Sequence, residues 1–319
     1  MRDVPRTGMK KILILTDGKA GHENQSRAFV RALGGNPTLA AVRFKSKFHK
    51  ALSYLFDRLG VSCPSLVCGL DDVTADGCAA VVGTGSGTFY AAKALSRRLG
   101  VKCGVVLYPR GYRIATFDCI LAPAFDRPPR APNVIEIPAN LVANDAAFYA
   151  KGVEDFRVRT DIVPDIAVIV GGPNKCSTMT ADWMRRQLDA VFACPGKKAV
   201  TTSRRTPPEV EAVVDSYPWD YKLLYSQDHF NPIPAFVSLA KRLYVSAEST
   251  GMLSEACTFG TAEVIALDNL NPGPHKFRRF VDGLVAGGYA AWQGAESCGC
   301  SRKVDLSAAF ASARRLMGL

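Results

Sequence analysis

The stretch Ser246-Ala-Glu-Ser-Thr-Gly-Met-Leu-Ser-Glu-Ala-Cys-Thr-Phe-Gly260 decides how the second half of the chain is interpreted. It follows an apolar, strand-like run, Arg242–Val245, and turns through hydroxyl groups into a short helical pattern. This order predicts a strand, a polar turn and a helix N-terminus. Such an N-terminus has unpaired backbone N–H groups and a partial positive charge, so it readily receives a phosphate.

Five residues of this turn and helix are candidate ligand contacts. In the binding interpretation, a phosphate lies against Ser249, Thr250, Gly251 and Met252, and Glu255, one helical turn further on, accepts hydrogen bonds from ribose hydroxyls. Ser and Thr are also common helix caps, so an ordinary capped helix explains the same residues. The rest of the chain has to distinguish the two interpretations.

The surrounding block repeats this design. Buried parallel strands are predicted from short apolar runs at 166–170, 198–202, 222–225, 243–245 and 263–267. Two further strand-end turns offer backbone donors and cations, and their candidate ligand residues are Gly171, Gly172, Lys175, Ser203 and Arg204. Immediately after them, Thr206, Pro207 and Glu209 predict a capping box at the start of a helix.

The first half of the chain has the same alternation of predicted strands and polar or glycine-containing turns. Strands are predicted at 10–16, 79–83, 103–107, 117–121 and 133–137, so this block is expected to contain five parallel strands. The first strand leads into Asp17–Ser26, a predicted polar loop at the edge where α/β proteins place their ligands. It contains Asp17 and His22, which are candidate general bases. A glycine turn, Gly83–Gly87, follows the second predicted strand.

These blocks predict an α/β protein with two Rossmann-like domains that face a cleft. Between 140 and 164 the strand pattern stops, which places the boundary near residue 155. The expected domains are 1–155 and 156–290, followed by a helical tail, 291–319, whose helix packs back on the N-terminal domain.

The segment Arg43–Leu59 has a helical stripe of apolar residues beside a cluster of basic ones. Basic amphipathic helices lie on anionic lipid, and four basic side chains are candidates for that contact: Arg43, Lys45, Lys47 and Lys50. A domain helix with a solvated basic face gives the same pattern, so the sequence leaves both interpretations open.

Composition limits the remaining classes. The 319 residues are 48% hydrophobic and carry a net charge of +11, which favours acidic ligands or an anionic surface. We recognise no nucleic-acid module, signal peptide or membrane-spanning run, so a cytoplasmic protein, peripheral on the inner membrane face if the basic helix binds lipid, is expected. The ten cysteines are scattered, and the close pair Cys298 and Cys300 has no second pair at zinc-site spacing.

Five local motifs carry a family resemblance. The chain resembles the mitochondrial-fission (elongated mitochondria) family and its bacterial relatives through Asp17-Gly-Lys-Ala-Gly-His-Glu-Asn-Gln-Ser26, Val170-Gly-Gly-Pro-Asn-Lys175, Thr202-Ser-Arg-Arg-Thr-Pro-Pro208, Met252-Leu-Ser-Glu-Ala256 and Lys276-Phe-Arg-Arg-Phe280. This resemblance implies a GT-B-like architecture. Plant members are associated with recruiting a dynamin-like protein to mitochondria. The Ser254–Ala256 segment is also similar to the donor site of GT-B glycosyltransferases, in which the equivalent glutamate holds the nucleotide ribose.

The predicted function is a metal-independent GT-B glycosyltransferase with a nucleoside diphosphate sugar as co-substrate and no other cofactor, acting on a membrane-associated or envelope acceptor. Arg204 and the glycine turns hold the diphosphate, Glu255 holds the ribose, and His22 or Asp17 deprotonates the acceptor. His275 is an alternative site histidine. Asp71–Asp72 does not stand in a turn suited to a metal-binding DxD motif. The alternative function is an inactive GT-B-like adaptor that recruits a protein partner.

Overall fold

The computed structural model describes residues 10–70, 73, 77–295 and 302–319. The chain divides into two compact units, one made of residues 1–143 and 306–319 and the other of residues 144–305. Within the part of the chain that is described, no helix is long and apolar enough to cross a membrane. Asp71–Asp72 and the pair Cys298 and Cys300 lie outside the described residues.

The first unit is built on a six-stranded parallel sheet in the order β2-β1-β5-β6-β7-β8. Its elements are β1 (Lys11–Thr16), α1 (Ala20–Ala32), β2 (Asn36–Ala41), β3 (Arg43–Phe44), α2 (Lys47–Leu59), β4 (Val67–Cys68), β5 (Cys78–Thr84), α3 (Phe89–Leu99), β6 (Lys102–Val106), β7 (Cys119–Pro123), β8 (Val134–Ile137) and, from the end of the chain, α10 (Ser307–Met317). β3 and β4 form a separate antiparallel ribbon.

Strand β1 shows why the unit has three layers. Its side chains alternate between two cores because neighbouring residues of a strand point to opposite faces of the sheet. Ile12 and Ile14 pack in the core that contains α1 and α10, whereas Leu13 and Leu15 pack in the core that contains α3. The predicted packing of the C-terminal helix on this domain is therefore confirmed, since Met317 is buried in the first of these cores.

Three sequence predictions for this unit are wrong. The predicted helix over 43–59 begins only at Lys47, because Arg43–Phe44 form strand β3 and pair with β4. The sheet has six strands rather than five, because the edge strand β2, which begins Asn-Pro and is largely accessible, lacks the apolar run of the others. The predicted loop Asp17–Ser26 ends early, because α1 begins at Ala20. His22 consequently lies on the first turn of a helix.

The second unit has the same architecture, with a six-stranded parallel sheet in the order β11-β10-β9-β12-β13-β14. Its elements are α4 (Ala146–Arg157), β9 (Ile166–Ile169), α5 (Ala181–Phe192), β10 (Lys198–Thr201), α6 (Pro208–Asp215), β11 (Tyr221–Leu223), α7 (Ile233–Leu239), β12 (Arg242–Ser246), α8 (Thr250–Thr258), β13 (Glu263–Leu267), α9 (Lys276–Ala286) and β14 (Ala291–Trp292). Five of these strands coincide with predicted ones, and β14 is additional.

The structure divides the chain at residue 143 rather than near 155. Helix α4 belongs to the second unit because it packs on α7: Phe156 is buried against Phe236, and the backbone at Gly152 lies so close to Pro234 that a Cβ there would meet its ring at 2.4 Å. The segment predicted as a helical tail, 291–319, is divided between the two units. β14 joins the second sheet, and α10 packs in the first unit.

Each sheet has one topological switch point, where the strand order reverses direction. In the first unit it lies between β1 and β5, and in the second between β9 and β12. In open α/β sheets ligands bind outside the carboxyl ends of the strands at such points, because the connecting loops diverge there and leave a crevice. The candidate residues of both units can be placed against these two crevices.

Candidate functional site

At the first switch point, Asp17 and His22 form a hydrogen-bonded pair. Asp17 begins the turn after β1, and His22 lies on the first turn of α1, with its Nδ1 3.0 Å from Asp17 Oδ1 and 3.1 Å from Oδ2. Burial raises the pKa of Asp17, but the charges of His22 and Lys19 and their hydrogen bonds outweigh it, so that the pKa lies below its ordinary value. The ionised carboxylate can only accept, so the Nδ1 atom carries a proton, and in the neutral imidazole Nε2 then offers a lone pair.

The glycine turn after β5 lies directly against this pair. A Cβ on Gly85 would stand 2.3 Å from His22 Cε1, and a Cβ on Gly87 would stand 2.8 Å from Asp17 Cβ. Gly85 also has a φ of +81°, which side chains rarely adopt. The turn 83–87 therefore serves as a surface on which the His–Asp pair rests, a role that the sequence pattern alone did not indicate.

A pocket of about 370 Å³ opens beside Asp17. Its walls include Asp17, Gly18, Arg43, Cys68 and Gly69, so it extends from the end of β1 to the β3–β4 ribbon. The His22 side chain is 23% exposed and that of Asp17 is 10% exposed, so both can be reached from outside. An imidazole oriented by a carboxylate next to an open pocket is suited to accept a proton from a bound hydroxyl group.

At the second switch point, a buried carboxylate occupies the equivalent crevice. Glu248, in the turn after β12, is 2% exposed, and its Oε1 accepts the Gly172 N–H at 2.8 Å. The Asn269 side-chain amide donates to Oε2 at 2.7 Å. The Ser246 hydroxyl donates to Oε1 and accepts a hydrogen bond from the Gly171 N–H. Burial raises the pKa of Glu248, although these hydrogen bonds partly offset the effect.

This arrangement changes the role of the two glycines. Their N–H groups, expected to hold a diphosphate, donate to side chains of the protein itself. A Cβ on Gly171 would meet Glu248 Oε1 at 2.0 Å, so the glycine is needed for close packing of the chain on itself. Glu248 was not among the predicted ligand residues, although a carboxylate two residues after an apolar strand was a visible signal.

The turn after β10 packs against the same glycines. A Cβ on Gly172 would lie 2.1 Å from the Arg205 carbonyl oxygen, and the Thr206 hydroxyl donates to the Gly171 carbonyl at 2.6 Å. The predicted capping box is wrong, because α6 begins at Pro208 with Pro207 as its N-cap and no side-chain cap. The Thr206 hydroxyl donates to the Gly171 carbonyl instead of capping the helix, and it therefore connects the two turns.

Several polar groups at this edge of the second sheet remain open to a ligand. Ser249 caps α8 by accepting the Met252 N–H, which leaves the N–H groups of Thr250 and Gly251 without carbonyl partners inside the helix. No atom lies within 4 Å of a Cβ built on Gly251. Three exposed cations have no carboxylate partner among the residues that the structure describes: Lys175, Arg204 and Arg205. Ser203 is held within its own turn, with its backbone N–H bonded to Thr206.

Glu255 is half-buried on α8 and is held on one side. Its Oε1 accepts a hydrogen bond from the Tyr149 hydroxyl at 2.9 Å and one from the Asn144 side-chain amide at 3.3 Å. The Tyr149 ring packs against Phe259 in a tilted arrangement, with 4.3 Å between centroids, which fixes it at this place. Burial raises the pKa of Glu255, and the two hydrogen bonds partly offset that effect. Nothing in the sequence around residues 144–149 indicated these partners.

The alternative site histidine, His275, has a structural role here. It is the N-cap of α9, where its Nδ1 accepts the Arg278 N–H at 3.3 Å, while Nε2 lies 3.0 Å from the Asn271 carbonyl oxygen. Both ring nitrogens are thus engaged. Among the described residues, no group of three His, Cys, Asp or Glu side chains could hold a metal ion.

The chain matches a known protein family over most of its length. The model of the family described as mitochondrial fission ELM1 matches residues 20–317. This range includes all the candidate residues except Asp17. A search of curated proteins finds no match.

Solved structures with a similar fold come from nucleotide-sugar enzymes. UDP-GlcNAc 2-epimerase from Neisseria meningitidis, bound to UDP-GlcNAc, is 12% identical, with a TM-score of 0.53 and coverage of 97% of this chain and 98% of the epimerase. Arabidopsis thaliana UGT89C1 complexed with UDP-L-rhamnose is 10% identical, with a TM-score of 0.54 and coverage of 98% and 93%. At such low identity the likeness shows the fold alone, which is of the GT-B type with two Rossmann-like domains.

Proposed function

This protein belongs to the mitochondrial fission ELM1 family, and we propose that it is a glycosyltransferase that uses a nucleoside diphosphate sugar as donor. The observation that carries the proposal is the His22–Asp17 pair at a switch point, in which Asp17 both orients the imidazole and lines an open pocket. The structural neighbours bound to UDP-GlcNAc and UDP-L-rhamnose support a uridine diphosphate sugar as the donor class.

In the proposed reaction the first unit supplies the base. An acceptor hydroxyl oxygen attacks the anomeric carbon of the donor sugar, and its proton passes to His22 Nε2. Asp17 keeps the imidazole in the required tautomer and stabilises the imidazolium ion that forms. The bond between the anomeric carbon and the diphosphate oxygen breaks, and its electron pair leaves with the diphosphate.

The second unit is proposed to bind the leaving nucleotide. Lys175, Arg204 and the N–H groups at the start of α8 neutralise the charge that develops on the diphosphate, without a metal ion. Glu255 Oε2, the oxygen that Tyr149 and Asn144 leave free, accepts from a ribose hydroxyl. The acceptor is proposed to be a membrane-associated or envelope molecule, and the protein to be cytoplasmic and peripheral on the membrane.

Binding of uridine diphosphate tests the donor half. We expect a higher melting temperature with UDP, since a ligand at 100 times its dissociation constant adds about 2.7 kcal/mol to stability. Glu255→Ala and Arg204→Ala should reduce the shift, whereas the exposed controls Glu209→Ala and Arg186→Ala should retain it. A folded protein that responds to no nucleotide would contradict the proposal.

Release of UDP from a panel of UDP-sugars, with membrane extract as acceptor source, tests the catalytic half. His22→Ala should lower turnover by about 10²–10⁴-fold, the usual contribution of a general base. The control His229→Ala removes an exposed imidazole that stacks on Tyr225. Equal losses in both variants would exclude His22 as the base.

A recruiting adaptor is the second candidate function. One observation favours it: the Gly171 and Gly172 amides and one oxygen of Glu255 are bonded to the protein's own groups, so part of the expected donor site is closed on itself. Absence of both nucleotide binding and turnover, with the fold intact, would support the adaptor.

A further inference from the structure

Helix α2 exposes the apolar side of an amphipathic helix. Phe48 is 70% exposed, Leu55 51% and Leu59 67%, and Val61, just past the helix, is 48% exposed. Residues 48, 55 and 59 lie on one face because their spacings of seven, four and eleven are close to whole helical turns. Large apolar side chains grouped in this way mark an interaction surface rather than ordinary surface scatter.

The two buried residues of the same helix, Ser53 and Asp57, are polar. Asp57 is 2% exposed and accepts from Lys93 Nζ and from the Arg113 N–H, the latter at 2.6 Å. Ser53 is fully buried and bonds to the Tyr112 hydroxyl at 2.8 Å. Rotating α2 to hide its apolar stripe would leave a buried carboxylate and a buried ammonium group without partners, which is strongly unfavourable. The network therefore fixes the stripe outward.

Basic side chains flank the exposed stripe. Arg43, Lys45, Lys47 and Arg58 are all exposed, and none is paired with a carboxylate within the described part of the chain. Asp57 is the one acidic residue between 43 and 59, and it is buried. The Lys50 ammonium group turns toward the body of the unit, where it donates to Ser86 Oγ at 2.8 Å.

An apolar stripe bordered by unpaired cations matches an anionic bilayer in both respects. Apolar side chains gain by entering the acyl boundary, and lysine or arginine near the surface gains by approaching anionic headgroups. A protein partner would account for the apolar residues but does not require four unpaired cations and no exposed acid. We infer that α2 and its flanking residues form a docking surface for an anionic lipid bilayer, with α2 lying in the plane of the headgroups.

The surface is connected to the candidate site of the same unit. Ser86, which Lys50 contacts, lies between the two glycines on which His22 and Asp17 rest, and Arg43 lines the pocket beside Asp17. Docking through α2 would therefore hold that pocket near the lipid surface. This step rests on the proposed function and names its acceptor class: a hydroxyl compound carried by a lipid.

Sedimentation with vesicles tests the inference. The protein should pellet with vesicles of equal parts phosphatidylcholine and phosphatidylglycerol and remain in the supernatant with phosphatidylcholine alone. The triple change Phe48→Ser, Leu55→Ser and Leu59→Ser should weaken binding at least about tenfold, because three apolar side chains no longer enter the bilayer. Lys45→Glu and Lys47→Glu should each weaken it about fivefold or more. A matched triple of exposed residues elsewhere, Leu39→Ser, Val158→Ser and Val163→Ser, should bind as the wild type does.

Three vesicle results would overturn the inference: no pelleting with anionic vesicles at low salt, equal pelleting of the Phe48, Leu55 and Leu59 variant, or equal pelleting with both lipids. Sedimentation velocity without lipid tests whether a second copy of the chain, rather than a bilayer, occupies this surface. A wild-type dimer that the triple variant abolishes would assign the stripe to a second copy of the chain and would also overturn it. Vesicle binding is measured without nucleotide, and UDP binding is measured without vesicles. Failure of this inference is therefore distinguishable from failure of the proposed function.

Discussion

The two sheets use the same topological position in different ways. At the first switch point the chain leaves a polar pair, His22 and Asp17, accessible beside an open pocket. At the second, a carboxylate of similar location, Glu248, is buried and binds the N–H groups and side chains of neighbouring turns. A switch point therefore supplies a crevice, and the residues that enter it decide whether the crevice receives a ligand or joins loops together.

The largest effect is expected when the buried carboxylate of the second switch point, Glu248, is removed. Glu248→Ala leaves Gly172 N–H and the Asn269 amide without acceptors in a dry place, and each unpaired group costs about 1–3 kcal/mol. We expect a total loss of about 3–5 kcal/mol in the free energy of unfolding. Chemical denaturation followed by circular dichroism measures it.

The control is Glu248→Gln, which keeps an oxygen for Gly172. Asn269 Oδ1 is buried without a partner, so a turned Asn269 amide could accept the new Gln N–H group. The loss should be less than half of that in the alanine variant. Similar losses in the two variants would mean that the charge of Glu248, and not its hydrogen-bond geometry, holds the turns.

The second test addresses the glycine that supports the His–Asp pair. Gly85→Ala combines a positive φ, which costs about 1–2 kcal/mol for other residues, with a Cβ at 2.3 Å from the His22 ring. Displacing the ring adds an overpacking cost of about 1–3 kcal/mol. We expect a loss of about 2–5 kcal/mol together with loss of turnover, measured by denaturation and UDP release.

Gly34→Ala separates the two contributions. Gly34 has a similar φ, +74°, but no atom lies within 4 Å of a Cβ built there, and it does not line the pocket. It should lose only the conformational part, about 1–2 kcal/mol, and retain activity. Equal behaviour of the two variants would show that the contact with His22 is unimportant.

Buried apolar runs predicted most of the fold, and the exceptions have a common cause. Strand β1 was predictable because both of its faces are covered, whereas β2 was missed because an accessible edge strand needs no such run. The outward direction of the α2 stripe depends on Asp57 meeting Lys93, 36 residues away. Local periodicity reports which residues share a face, but it does not report which face is buried when a distant partner stabilises the polar one.

The candidate site shows the same limit. The turns with Gly171, Ser203 and Ser249 were found because glycines and hydroxyls after apolar strands are a local signal. Glu255 was placed on α8 as expected, but Tyr149 reaches it across 106 residues, and no local pattern marks that tyrosine. Residue roles that depend on a partner distant in sequence need the folded structure.

The smallest expected effect tests whether the Glu255 carboxylate binds a ligand or is only held in place by Tyr149. Tyr149→Phe removes the hydroxyl that donates to Glu255 Oε1 and retains the ring packed against Phe259. If Glu255 binds ribose, loss of one hydrogen bond to a charged group should weaken UDP binding about 3–10-fold at neutral pH. The pKa of Glu255 is raised by burial and lowered by Tyr149, so the variant should raise it further. Because the carboxylate is the binding form, affinity falls as pH decreases through this pKa, and the fall should begin at a higher pH in the variant.

Isothermal titration with UDP between pH 5 and 8 measures both effects. Tyr217→Phe is the matched control, because it also removes a hydroxyl bonded to a carboxylate, that of Asp189, on another part of the same unit. It should change neither the affinity nor its pH dependence. Tighter UDP binding by Tyr149→Phe would mean that the tyrosine hydroxyl competes with the ribose for Glu255. The second switch point would then be closed by its own side chains on both sides, at Glu248 and at Glu255, and only the first would retain the geometry of an open site.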